Sequence, residues 1–333
     1  MKFTIGIPAY KARYLRACID SVLAQTCTDF EIVIVNDASP EDIDSIVHAY
    51  DSPRIRYYKN EVNRGALHVT DNWNKCLSLA LGSFFVLMGD DDIMDRRYLE
   101  GFEALIERYP ACGVYHCRTK IIDENSQAVR LSEPRPEFES VYDSVLERMT
   151  GGRIFFVSDY LYRTETLRKV GGYYKLPLAW ASDDITSYLA AMDHGIAHTN
   201  EPLFMYRQSA LTLSSTGNIM HKMDAIMQEG VWLEAFAARA PSNEVDQLLL
   251  VSIRREIRKF IQKKKIRTIC SSGDGVIGIL FKWFGRRKKY TLSVSEIFYA
   301  AAMRVVEKRK SVYVFIIVLL SQGFMIPGNG EMI

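Results

Sequence analysis

The sequence predicts an α/β fold, a mainly parallel sheet between layers of helices, followed by a helical basic extension. Three observations carry this. In the first hundred residues short apolar runs alternate four times with helical patterns, and parallel neighbours joined in this way need right-handed helical crossovers. Each run ends in an unusual polar or glycine-containing cluster. Charge is also unevenly spread: residues 251–310 hold 17 Lys plus Arg against 4 Asp plus Glu, a balance of +13, so the rest of the chain carries −11 within a net +2.

The first strand, Phe3 to Ile7, ends in Pro8, Ala9 and Tyr10. Leu15, Ile19, Val22 and Leu23 then follow helical spacing. A second strand, Phe30 to Val35, ends in Asn36 and Asp37. Ser39, Pro40 and Asp42 announce the next helix as a cap, a first-position proline and a first-turn acid. A third strand, Ile55 to Tyr58, runs into Asn63, Arg64 and Gly65, and a helix from about His68 to Leu81 leads to the apolar stretch Phe84 to Met88.

Asp90, Asp91 and Asp92 follow that stretch directly, at the carboxyl end of a buried strand. Three adjacent carboxylates repel one another unless a cation holds them, and Mg²⁺ or Mn²⁺ shares such oxygens with substrate phosphates. The residues therefore point to a nucleotide diphosphate. The plainer alternative is a solvated acidic turn capping a helix that begins near Arg96. Ligands of parallel sheets bind outside the carboxyl ends of the strands, and all four clusters fall there. Asp37 suits the imide N–H of a nucleobase, or else caps a turn. Arg64 adds positive charge, or is simply solvated.

Further along, Gly151 and Gly152 precede a predicted strand from Ile154 to Leu161, and Gly171 and Gly172 mark a turn. Ser182, Asp183 and Asp184 open a helix containing Ile185, Tyr188, Leu189 and Met192 that ends at Gly195. One carboxylate here could take the proton of an attacking hydroxyl, or the acids could only complement the helix dipole. His194 and His198 flank Gly195 and do not share a helix face, which argues against a metal pair.

The ordered series IGIPAYK, SVLAQTCTDFEIVIVNDASPED, NRGA and NWNKCLSLALGSFFVLMGDDDIM resembles the inverting family 2 glycosyltransferases of the GT-A fold, with the likeness continuing to about residue 215. The resemblance implies that Asp37 binds uracil, that Pro8, Ala9, Tyr10, Asn63 and Gly65 line the nucleotide pocket, and that Asp90 faces the ribose. It implies Asp91 as metal ligand supported by Asp92, with Mn²⁺ or Mg²⁺ as the ion. Asp183 stands in the place of the family's glutamate and Asp184 in that of its catalytic base. Two positions depart from the pattern: Gly89 stands where the family usually has another aspartate, and Ser209 where many relatives have a histidine after Tyr206 and Arg207, leaving Arg207 as a phosphate contact or a structural residue.

Composition is that of a globular protein, 48% hydrophobic and 25% charged. No leader-like segment opens the chain, and six cysteines without paired CxxC spacing fit reduced thiols, so a cytoplasmic location is expected. The expected division is a catalytic domain at 1–215 and a helical region at 216–333. Within the latter, Ile253, Ile257, Phe260 and Ile261 form an apolar stripe beside many cations, and Phe281, Trp283 and Phe284 precede Arg286 to Lys289, as in a surface that lies on a membrane. A solvated appendage is the alternative, and no nucleic-acid motif accompanies the charge. The longest uncharged apolar run, Val312 to Leu320, is about 14 Å as a helix at ~1.5 Å per residue, too short for a ~30 Å hydrocarbon core. The expected activity is transfer of a sugar from a nucleotide diphosphate donor, a UDP-sugar by the resemblance, to a lipid-linked glycan. A sugar-1-phosphate nucleotidyltransferase would need a glycine-rich loop where Pro8, Ala9 and Tyr10 stand; a non-catalytic nucleotide-binding scaffold would bind without turnover.

Overall fold

The structure, a computed structural model, describes residues 1–209 and 218–305. The run Val312 to Leu320 therefore lies outside the described residues. The chain divides into two compact units, Met1–Phe260 and Ile261–Ile333.

In the first unit, β1 (Phe3–Ala9), β2 (Phe30–Asn36), β3 (Ile55–Lys59) and β4 (Phe84–Leu87) pair in parallel in the order β3-β2-β1-β4. Every residue of β2 and all but one of β1 are buried. Continuous apolar runs are what a parallel sheet covered on both faces demands. The crossovers are α1 (Leu15–Leu23), α2 (Ile43–His48) and α3 (Val69–Ser78). Helix α2 starts later than the Ser39–Pro40 signal suggests: Asp42 caps it by accepting from the Ser45 N–H at 3.0 Å. Ser39 is engaged elsewhere, its hydroxyl donating to the Tyr10 carbonyl at 2.5 Å.

The second half of the sheet is mixed. After β5 (Ile93–Met94) and α4 (Tyr98–Arg108) come β6 (Val114–Ile122), β7 (Ala128–Leu131), β8 (Phe138–Glu139), α5 (Val141–Thr150), β9 (Tyr160–Arg163), α6 (Thr164–Lys169), α7 (Ser182–Ala190) and β10 (Ile196–Arg207). Strand β9 runs antiparallel between β4 and β6, while β10 lies parallel to β6 with register shifts around Pro202 and receives β5 and β8 on its other side. The strand predicted at Ile154–Leu161 is shorter and begins at Tyr160. Its first part is spent on other partners: Ile154 O accepts from Arg135, Ser158 O accepts from the Tyr98 hydroxyl, and Ser158 Oγ accepts from Gly89 N–H at 3.1 Å. Helices α8 (Ile219–Ala237) and α9 (Glu244–Cys270) follow.

At the amino end of the sheet Glu31 is 1% exposed. It accepts from Thr4 Oγ1 at 2.6 Å, Leu81 N–H at 2.7 Å and Arg56 Nη1 at 2.7 Å. Burial alone would raise its pKa, but these hydrogen bonds prevail and hold it below the ordinary range. The turn so anchored passes close to β1: a Cβ on Gly82 would stand 2.6 Å from the backbone of Phe3 and Thr4. A buried polar cluster lies under β6 and β10. His116 Nε2 is 3.3 Å from Asp159 Oδ2, which also accepts from Thr119 Oγ1 at 2.7 Å. Burial pushes Asp159 up to about 8 despite the opposing charge of Arg135, and burial keeps His116 well below its usual value. At neutral pH this contact therefore joins two uncharged groups.

In the second unit Ile269, Ile279, Trp283, Ile297 and Ala300 are fully buried, and Lys265 Nζ donates to Tyr290 O and Thr291 Oγ1, each at 2.9 Å. It contains α10 (Val276–Arg286) and helical residues 294–305. Among the described residues no helix is long and apolar enough to cross a membrane. No cysteine among them forms a disulfide, and five of the six are buried.

Gly82→Ala should cost about 1–3 kcal/mol through overpacking against immovable backbone, read as a lowered thermal midpoint. A second expectation concerns pH. The native state holds the Asp159 proton up to about pH 8 whereas an unfolded aspartate releases it near ~4. Native stability thus falls as pH rises through that interval. Asp159→Asn removes this loss, so its stability relative to the parent should grow between pH 5 and 8 and level off above, as measured by thermal unfolding across that range.

Candidate functional site

The carboxyl ends of β1, β2 and β4 converge on one loop system. Pro8 and Ala9 are still within β1, paired with Val35 and Asn36 of β2. The ladder to β4 stops at Gly6, so the N–H that proline lacks would have no strand to reach on that side. Tyr10 is 43% exposed. Asp90 fastens the loop that follows, its Oδ2 accepting from the N–H groups of Tyr10 at 2.7 Å and Lys11 at 2.8 Å. The side chain expected to face a ribose thus braces the backbone of the expected nucleotide pocket.

Asp37 lies at the end of β2 and is buried. Its Oδ1 accepts from Asn60 Nδ2 at 2.7 Å, and both oxygens receive the Arg64 N–H at 3.1 Å. Asn60 is held in turn by Lys75 Nζ at 2.7 Å. The segment with Asn63 and Gly65 therefore closes over Asp37 through its backbone. Gly65 has φ +74°, a conformation that favours glycine, and leads into a 3₁₀ turn at Ala66–His68. Arg64 contributes its N–H here and its side chain is exposed.

The three aspartates have different surroundings. Asp92 is buried, with Oδ1 accepting from Arg207 N–H at 2.8 Å, while Oδ2 fills the space beside Gly89, 2.5 Å from where a Cβ would stand. Asp91 is the most open, its side chain 15% exposed and its Oδ2 3.1 Å from Lys11 Nζ. Burial, and then the Asp91 charge, push Asp90 up to about 6, and the same two causes raise Asp92. Lys11 is raised by the three carboxylates although burial opposes it. The loop thus calls for positive charge, and the lysine ammonium supplies some of it. A hard divalent ion fits this chemistry, with Asp91 as the presented oxygen ligand and Asp92 behind it. Among the described residues no group of three or more His, Cys, Asp or Glu is arranged to hold an ion alone, so phosphate oxygens would have to complete the shell.

Arg207 is 1% exposed and does not reach outward as a phosphate contact. Its Nε donates to Asp91 O at 2.8 Å, its Nη1 donates to Asp123 O and Ser126 Oγ at 3.0 Å each, and its guanidinium lies 4.1 Å from the centre of the Tyr14 ring. It ties the acidic loop, the β6–β7 turn and the start of α1 together.

Asp183 and Asp184 open α7 after a contorted turn in which Leu178, Ala179 and Ala181 have φ of 59°, 52° and 71°. Non-glycine residues there are strained, and such strain is characteristic of functional sites. The turn at Pro177–Ala179, which leads into α7, packs against the turn at Ala66–His68 and against α8. Lys222 of α8 lies 4.8 Å over the Trp180 ring. Asp184 is 2% exposed. Its Oδ2 accepts from Arg148 Nε at 2.9 Å, and its Oδ1 is buried without a hydrogen-bond partner. Arg148 is itself held by donation to Arg153 O at 3.1 Å and by the face of Phe155. Asp183 is more exposed, and burial followed by the Asp184 charge pushes it up to about 7. His194 and His198 part company, His194 exposed and His198 buried beside Glu139.

Lys11 and Arg148 escaped the sequence reading. Lys11 had a signal in adjacency to Pro8, Ala9 and Tyr10; Arg148 had none, since it reaches Asp184 from a helix 36 residues away.

Residues 4–169 match the family described as Glycosyl transferase family 2. An uncharacterized glycosyltransferase of Nostoc sp. is 29% identical over 243 residues, 69% of this chain and 72% of that one. An Escherichia coli protein named for colanic acid biosynthesis as a glycosyl transferase is 35% identical over 92 residues, 27% of this chain and 32% of that one. Against two other relatives the matched region is only 35% and 40% of their length. The Staphylococcus aureus TarS 1-349 structure, described in complex with UDP-GlcNAc, superposes with a TM-score of 0.63 at 15% identity, covering 93% of this chain and 92% of that one, and shares its fold. The chain belongs to the family 2 glycosyltransferases and has the GT-A type of α/β/α fold.

Arg207→Met should leave the carbonyls of Asp91 and Asp123 without their guanidinium donor at a cost on the order of 3 kcal/mol and weaken donor binding as the acidic loop loosens. Asp91→Asn, whose ion pair with Lys11 is partly exposed and worth about 0–1 kcal/mol, should weaken donor binding at a nearly unchanged thermal midpoint. Melting curves and donor titration on the two variants check the contrast.

Proposed function

We propose that this glycosyltransferase moves a sugar, with inversion at the anomeric carbon, from a nucleotide diphosphate donor to a hydroxyl of a lipid-linked glycan in cell-surface polysaccharide synthesis. The observation that carries the chemistry is Asp184: one carboxylate oxygen is fixed by Arg148, and the other is buried with nothing to accept from. A buried acceptor left open in a native structure calls for a partner that arrives with the substrate. The likeness to a protein named for colanic acid biosynthesis supports the polysaccharide setting. A fold neighbour described with UDP-GlcNAc supports a UDP-sugar and suits a carboxylate such as Asp37 opposite the uracil imide.

In this reading the base lies at the end of β2 against Asp37 and the Asn63–Gly65 segment, and the diphosphate lies beside Asp91 and Lys11. A divalent ion on Asp91, Mn²⁺ or Mg²⁺, would neutralise the leaving diphosphate. The acceptor hydroxyl attacks the anomeric carbon from the opposite face and gives its proton to Asp184 Oδ1. The new C–O bond forms as the bond to the diphosphate breaks, with that electron pair leaving on phosphate oxygen. Because Oδ1 is closed from solvent, entry of the acceptor needs a local movement that exposes it. Asp183 is a second reading for the base, favoured by its greater exposure and its proton affinity near neutrality.

Asp184→Asn should lower transfer by roughly 10²- to 10⁴-fold with donor affinity little changed, while Asp183→Asn has a smaller effect. The reverse order of severity would move the base to Asp183. Asp91→Ala should abolish the metal-dependent increment in UDP binding, whereas Asp37→Ala should weaken UDP with and without metal, as calorimetry can resolve. Nucleoside diphosphate release with and without acceptor separates transfer from a nucleotidyltransferase, which releases pyrophosphate, and from a scaffold, which releases nothing.

A further inference from the structure

The apolar stripe expected to face a membrane is not free to do so. Ile253, Ile257 and Ile261 are 0%, 3% and 8% exposed, and Trp283 is fully buried with its ring 5.8 Å from Tyr290. A different face is left open. Helix α10, Val-Ile-Gly-Ile-Leu-Phe-Lys-Trp-Phe-Gly-Arg, is apolar around most of its circumference, a pattern that belongs to a helix covered on all sides. Ile279 and Trp283 cover one side. On the opposite side Ile277 is 71% and Phe281 81% exposed. These two stand one turn apart, and Phe284 continues their row with its ring 5.8 Å from Phe298, itself half-exposed.

The charge beside this row chooses its occupant. Arg286, Arg287, Lys288 and Lys289 follow it directly and are exposed. Residues 261–305 hold ten Lys plus Arg against two acids, one of which, Asp274, is paired with Lys282 at 2.9 Å. A second copy of the chain would bring the same excess of positive charge and be repelled. A nucleic acid would satisfy the cations and leave Phe281 and Ile277 in water. An anionic bilayer answers both needs, taking aromatic and aliphatic side chains at the headgroup boundary and pairing its phosphates with the cations.

We propose that α10 is the membrane-docking face of this protein, with Ile277 and Phe281 entering the interface of an anionic bilayer and Arg286 to Lys289 lying on its phosphates. The inference rests on the proposed lipid-linked acceptor for its purpose, yet its test needs no donor and no turnover. Full-length protein is sedimented with vesicles of phosphatidylcholine alone or mixed with phosphatidylglycerol, across a salt series. The parent should bind the mixed vesicles, more weakly as salt rises, and leave phosphatidylcholine largely unbound. Phe281→Glu should weaken that binding by about tenfold or more, and Phe281→Ala less but in the same direction. Arg287→Glu with Lys288→Glu should abolish its salt dependence. Because these side chains are exposed, melting curves should be unchanged, and so should turnover with a soluble acceptor fragment. Failure of the parent to bind, equal binding by parent and Phe281→Glu, or loss of a dimer rather than of vesicle binding in that variant would overturn the proposal. Vesicle binding without any transferase turnover would instead overturn only the proposed reaction.

Discussion

The candidate site depends on how an acidic loop is kept in place at the end of a buried strand. Three consecutive carboxylates cannot stabilise one another, so the fold surrounds them with donors. Asp90 accepts from two backbone N–H groups, Asp92 from a third, and the loop carbonyl between them from the buried guanidinium of Arg207. The same guanidinium engages the β6–β7 turn and rests on Tyr14, so β1, β4, β6 and β10 are registered at one point. Only Asp91 is left facing outward. Its partial pairing with Lys11 makes it available, because a long flexible ammonium can swing aside for a better cation.

Much of this was legible in the sequence. Apolar runs of four to six residues ending in polar clusters marked β1 to β4 and their carboxyl ends, and parallel topology then forced Asp37, Gly65 and Asp90 to Asp92 onto one edge. What escaped had no local signature. Ser158 lies in an apolar stretch that reads as strand, yet its hydroxyl is claimed by Gly89 across the site. Arg148 and Asp184 meet only because α5 and α7 pack together. Trp283 reads as a headgroup aromatic, and its burial depends on neighbours that periodicity does not identify. The preceding residue type told little; the three-dimensional partner decided.

Strain clusters where chemistry is proposed. Ala38 follows Asp37 with φ 49°, and Ala181 precedes the carboxylate pair with φ 71°. Each alanine holds a conformation that costs on the order of 1–2 kcal/mol relative to glycine. The hydrogen bonds that cross Asp37 and the packing of α8 on the turn at Pro177–Ala179 supply the compensation. A turn held under strain by its neighbours is also one that a ligand can shift, and Asp184 needs a local movement to be reached.

Gly89 carries one more consequence. The carboxylate of Asp92 occupies the volume a side chain at 89 would need, and it is not loose, since its other oxygen is bonded to the Arg207 backbone. The two positions are therefore epistatic. A descendant of this chain could acquire aspartate at 89 only after 92 had been shortened or turned away, and reverting 92 would afterwards be blocked. The order of substitutions open to this loop is therefore constrained.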